Sequence, residues 1–217
     1  VVVALGSGLD ETGLRRVRAL AEALERDRPA GVVDVVPAFA SVTVFYDLAQ
    51  VGGYERLCRE IETRAERVET ADLRREARVT EIPVCYGGEG GPDLADVAAQ
   101  AGLSSEEVVA LHAGSDYLVQ AIGFAPGFAY LGGLPEALHM PRRASPRLSV
   151  PAGAVGIGGA QTGIYPSASP GGWQLIGRTP LSLFDVQKSP PSLLQPGDRL
   201  MVEVITFSEF IALGGVP

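Results

Sequence analysis

Residues 123–179 read GFAPGFAYLGGLPEALHMPRRASPRLSVPAGAVGIGGAQTGIYPSASPGGWQLIGRT. The stretch holds the chain's single tryptophan, Trp173, and four arginines, Arg142, Arg143, Arg147 and Arg178. Gly and Pro recur every few positions, and each interrupts a helix or a strand ladder. What remains is short apolar strand segments, 154–157, 163–165 and 173–176, joined by turns. That pattern predicts a small β-barrel with functional loops. The aromatic and Arg content argues against disorder.

Several side chains here carry chemistry. Phe124, Phe128 and Tyr130 flank Pro126-Gly127 and read as an aromatic wall or as core. Arg142, Arg143 and Arg147 read as a guanidinium cluster for carboxylate or phosphate, or as a solvated basic loop. Gln161, Thr162 and Tyr165 place three neutral hydrogen-bonding groups in a Gly-lined loop that an amide or carboxylate could use.

Upstream, residues 82–86 read as an edge or first strand because they contain Pro83. Residues 87–93, GGEGGPD, form a turn that is not a P-loop, since no Gly-Lys-Ser/Thr follows. Glu89 there is an accessible carboxylate or part of a tight turn. Pro92 or Asp93 suits the start of a helix over 94–101, and Gly102 suits its end. Ser104 and Glu107 have capping-box spacing for a helix over 105–112. His112 falls in its last turn, where the helix C-terminus would favour the charged form, as a cap or as a general base. Downstream, 181–184 and 200–207 read as strands and 208–217 as a tail.

The first third alternates differently. An apolar strand at 1–5 is followed by a Gly-Ser-Gly turn and a helix capped by Asp10 or Thr12, with Leu14, Val17, Leu20, Ala21 and Leu24 on one face. Strands at 32–36 and 41–47 precede a second amphipathic helix marked by Tyr54, Leu57, Cys58, Ile61, Ala65 and Val68. A further strand near 78–83 would complete a split βαβ, ferredoxin-like sandwich. Residues 70–80 are charged and read as the boundary. This gives an α+β chain with a small α/β domain over 1–78 and a barrel domain over 82–217.

The formal charge of −8 disfavours a general nucleic-acid role. No run of 18 apolar residues predicts a membrane span. Cys58 and Cys85 lack metal-ligand spacing and read as lone buried thiols of a reducing cytosol. The chain lacks an initiator Met, which suggests a start inside a longer one.

Three segments, GFAPGFAYLGGLP (123–135), PRRASPRLSVPAGAVGIGGAQTGIYP (141–166) and SPGGWQLIGRTPLSLFD (169–185), resemble the family of the B-type subunit of 5-oxoprolinase. That family also contains allophanate hydrolase subunit 1 and the inhibitor of a sporulation histidine kinase, and it resembles part of the carboxyltransferase region of urea carboxylase. The resemblance implies a cyclophilin-like barrel and a companion C-type subunit, a related barrel. With a third subunit they convert 5-oxoproline to glutamate at the cost of ATP with Mg, shared among subunits. On this footing Arg142, Arg143 and Arg178 are expected to hold anions, and Gln161, Tyr165, Trp173 and Phe128 to form the substrate wall. His112 or Glu89 would handle protons. No metal ligand set is expected on this chain, which should act in the cytoplasm and only within a hetero-oligomer. Two alternatives stand: a binding module that inhibits a sensor histidine kinase, and a subunit of the allophanate or urea amidolyase type.

Overall fold

Leu14, Val17, Leu20, Ala21 and Leu24 recur at helical spacing, and all are buried on α1 (Glu11–Arg26). The fold is described from a computed structural model covering residues 1–6, 11–69 and 77–216. Asp10, the turn at 7–8 and most of the expected boundary at 70–80 lie outside these residues. The chain divides into two units, Val1–Ala77 and Arg78–Pro217.

In the first unit, β1 (Val2–Ala4), β2 (Val32–Ala38) and β3 (Ser41–Tyr46) form an antiparallel sheet in the order β1-β3-β2. Helix α2 (Tyr54–Glu69) packs beside α1. Leu57 and Ile61 from α2 join Val17, Leu20 and Leu24 over Val42 and Val44. The strand expected near 78–83 does not complete this sheet. It is β4 (Val79–Tyr86), which pairs with two strands of the second unit.

The second unit is a closed barrel of seven strands. They are β4, β5 (Tyr117–Ile122), β6 (Ala129–Gly132), β8 (Ala154–Gly158), β9 (Gln161–Ile164), β11 (Gln174–Arg178) and β12 (Arg199–Val204). Their order is β5-β12-β4-β11-β8-β9-β6, and β6 pairs back with β5. All described pairs are antiparallel except β4 with β12. Closure removes exposed sheet edges. Pro83 is therefore not on an edge strand. It lies beyond the register that β4 shares with β11, which covers only Cys85 and Tyr86, so its missing N–H breaks no ladder on that side.

Alternation sets the two faces of the wall. Ile82, Val84, Val119, Leu131, Val155, Ile157, Ile164 and Ile176 fill the interior. Helices α3 (Leu94–Ala101) and α4 (Ser105–Ala113) pack against β11 and β12. The capping box at Ser104 and Glu107 is present, and Gly102 ends α3 at φ +69°. A second cluster, Phe128, Val150, Ala154, Tyr165, Trp173 and Leu175, lies apart from the interior, near the paired strands β7 (Arg147–Val150) and β10 (Ser169–Gly171).

Two expectations fail near the C-terminus. Residues 181–184 are not a strand, because their polar groups close a local loop: Leu193 N–H donates to Leu183 O and Asp185 N–H to Pro191 O. Residues 208–217 are not merely a tail. They contain most of α5 (Phe207–Ala212), capped by Thr206 and Glu209.

Candidate functional site

The three strand glycines Gly156, Gly158 and Gly163 expose bare backbone to Trp173. A Cβ at Gly158 would stand 2.6 Å from the indole, so only glycine lets the ring lie this close. Phe128 meets Trp173 edge-on, with ring centroids 5.6 Å apart, and meets Tyr165 at 5.3 Å and Tyr130 at 4.9 Å. Phe124 reaches over the group from a left-handed backbone, φ +67°, and stays 63% exposed. A strained, exposed aromatic at a mouth is a mark of a functional loop.

The arginine segment forms the opposite rim. Arg143 N–H donates to Gly172 O and Met140 bridges to Gly159, which pins the segment along the barrel. Arg142 then lies over Trp173, 5.9 Å from the ring centroid, a cation–π contact. Phe124, Phe128, Tyr130, Tyr165, Trp173, Arg142, Arg143 and the 170–172 turn enclose a cleft of about 180 Å³. Burial pushes the Tyr165 phenol up, while the Trp173 backbone N–H and the Arg142 charge pull it back.

Arg143 and Arg147 are committed elsewhere. Both donate to Oδ1 of buried Asp93, at 3.1 and 2.7 Å, and Asp93 Oδ2 accepts from Leu175 N–H at 2.6 Å. Asp93 therefore does not cap α3 with its side chain, although it occupies that position. The Arg143 guanidinium lines the cleft and shares the single Asp93 carboxylate with Arg147; Arg142 alone of the three makes no hydrogen bond to another described residue.

The remaining candidates lie apart from this cleft. Gln161 is held by Gln120 at 3.0 Å. His112 is 1% exposed, between Tyr86 and Thr162. Thr162 donates to Gly156 O, so its oxygen accepts from His112 Nε2–H, and the Tyr86 hydroxyl donates to Nδ1. This network assigns the neutral tautomer. Burial lowers the His112 pKa to about 3, so the expectation of a charged helix-terminal histidine is corrected: desolvation outweighs the helix dipole. Glu89 and Arg178 line a second cleft of about 300 Å³ with Cys85, Tyr86, Phe207 and Phe210. The phenylalanines come from α5, which the sequence signalled through the Thr206/Glu209 spacing.

Among the described residues no group of three or more His, Cys, Asp and Glu could hold a metal ion, and no helix is long and apolar enough to cross a membrane. Cys58 and Cys85 are free thiols, but half-buried rather than buried as expected.

The family model for the carboxyltransferase domain, subdomain C and D, matches residues 1–194. The B-type subunit of 5-oxoprolinase from Bacillus subtilis is 45% identical over 96% of this chain and 90% of its own length. The protein of the same name from Escherichia coli O157:H7 is 51% identical over 92% of this chain and 89% of its own. The crystal structure of TTHA0988 superposes with a TM-score of 0.82 at 43% identity. It covers 94% of this chain, which spans only 39% of that longer one.

Proposed function

The chain belongs to the family of the carboxyltransferase domain, subdomain C and D, and on that premise we propose that it is the B-type subunit of an ATP-dependent 5-oxoprolinase. The observation that carries this reading is the near full-length identity to two proteins of that name. The aromatic cleft supports it chemically. A five-membered lactam is flat enough to lie on Trp173 and Phe128, its carboxylate suits the one guanidinium of the rim not already paired, and the Tyr165 hydroxyl can meet the ring amide. Arg143 acts here through position, fixing the rim by its bond to Asp93.

A lactam carbon resists attack by water. Phosphorylation of its oxygen by ATP releases ADP and activates the carbon; water then adds, the C–N bond breaks and the nitrogen takes a proton, which leaves an acyl phosphate that a second water hydrolyses to glutamate and inorganic phosphate. The residues of this chain bind and orient the lactam. The nucleotide and its Mg are shared with the companion subunits. We further assign a cyclophilin-like character to the barrel and a cytoplasmic location.

The test is ATP consumption driven by 5-oxoproline, measured with this chain and its companion subunits together and with each omitted. Turnover should need all of them. Turnover undiminished without this chain would overturn the assignment, and lactam hydrolysis by this chain alone would overturn the shared site.

A further inference from the structure

The second cleft is walled by a loop whose backbone has donors to spare. Gly87 and Gly88 are consecutive left-handed residues, φ +71° and +56°, a conformation that side chains disfavour. They turn the chain so that Gly91 N–H reaches Gly87 O at 2.9 Å, while Gly87 N–H is taken by Ile176 O at 3.0 Å. Between those two bonds, the N–H groups of Gly88, Glu89 and Gly90 find no acceptor among the described residues, and all three residues line the cleft. Successive unpaired N–H groups in a turn form a concavity for anions.

Arg178 stands against this loop. A Cβ at Gly90 would come 3.1 Å from the Arg178 Cβ, so the two approach closely. Nε of Arg178 donates to Ala152 O at 2.9 Å and Nη1 to Val216 O at 2.7 Å, and its guanidinium lies 5.9 Å from the Phe210 ring centroid. The group is thereby held in place, and Nη2 makes no hydrogen bond to a described residue. The rest of the lining is apolar: Phe210 is buried, Phe207 is 58% exposed, and the two rings stack at 6.2 Å and 19°.

We propose that this cleft binds the oxyanion group, carboxylate or phosphate, of a small organic anion. The N–H groups of residues 88–90 and Arg178 Nη2 take the oxygens, and the apolar body rests on Phe207 and Phe210. Glu89 is exposed on the same loop and opposes entry by like charge. The site shares no lining residue with the aromatic cleft. It stands independently of the lactam assignment, because its test reads binding rather than turnover.

The test is calorimetric titration of the full chain with four probes: inorganic phosphate, phenyl phosphate, acetate and benzoate. Phenyl phosphate or benzoate should bind saturably, and about tenfold tighter than the matching small anion; which of the two wins identifies the anion class. Arg178→Gln should weaken that probe about tenfold or more, and Glu89→Gln should tighten it by about two- to fivefold. Phe207→Ala should erase the preference for the aromatic probe. Opposite signs at Arg178 and Glu89 cannot arise from general unfolding, and Glu89 and Phe207 are exposed, so those variants test the site even if Arg178→Gln folds poorly. Lack of saturable binding by every probe at about 10 mM, or affinities indifferent to Glu89→Gln and Phe207→Ala, would overturn the proposal.

Discussion

Acidification should destabilise the chain through His112 in an amount that can be isolated. The imidazole is 1% exposed, and both of its nitrogens have partners in the neutral form. Burial takes its pKa from 6.5 in the free side chain to about 3 in the folded chain. Between those values the unfolded state holds one more proton than the native state, so stability falls as pH falls. The contribution is fully present above pH 6.5 and is lost toward pH 3, at about 1.4 kcal/mol per pH unit. From pH 7.5 to 5.0 the loss from this one group is about 2 kcal/mol. Urea unfolding followed by the fluorescence of Trp173, the single tryptophan, measures it directly. The comparison is His112→Gln, in which every other group still titrates. At pH 7.5 this variant should be less stable by about 1–3 kcal/mol, because Tyr86 and Thr162 lose well-placed partners. Its further loss on moving to pH 5.0 should be about 2 kcal/mol smaller than that of the parent chain. Equal losses in the two proteins, or a native imidazole that titrates near pH 6.5 by NMR, would refute the buried neutral histidine.

Two further substitutions probe the cleft. Gly158→Ala places a Cβ 2.6 Å from the Trp173 indole, so the ring must move; stability should fall by about 1–3 kcal/mol, with Trp173 emission shifting to longer wavelength. Asp93→Ala leaves Arg143 and Arg147 without their carboxylate and Leu175 N–H without its acceptor. It should cost about 3 kcal/mol in denaturant unfolding, the low end for opening a buried ion pair, since the two guanidinium side chains are 35% and 23% exposed.

Local signals are legible in the sequence, and long-range ones are not. Leu14 to Leu24 and the Ser104/Glu107 pair specify their helices through neighbours three and four residues away, and both helices are present. The strands expected at 154–157 and 173–176 are present as β8 and β11, shifted or extended by one or two residues from the short apolar segments that signal them. Thr206 and Glu209 carry the same capping signal for α5, but the short length of that helix hides it. Asp93 and Arg143 are 50 residues apart, and nothing near either predicts that Asp93 binds Arg143 and Arg147 instead of capping its own helix. Barrel closure sorts the rest: it turns His112 inward to Thr162, carries Arg178 and Glu89 to a different cleft from Arg142, and leaves Gln161 paired with Gln120. Periodicity fixes which face of a strand a side chain takes, but not which cleft along that face it reaches.

Arg142 carries the assignment of the aromatic cleft to the lactam, and its substitution tests that assignment most directly. It is exposed and makes no hydrogen bond to a described residue, so Arg142→Ala should leave stability within about 0.5 kcal/mol. In the reconstituted complex kcat/KM for 5-oxoproline should drop by about ten- to a hundredfold, the loss of one charge-assisted hydrogen bond to the substrate carboxylate. A value within about twofold of the parent complex would contradict it.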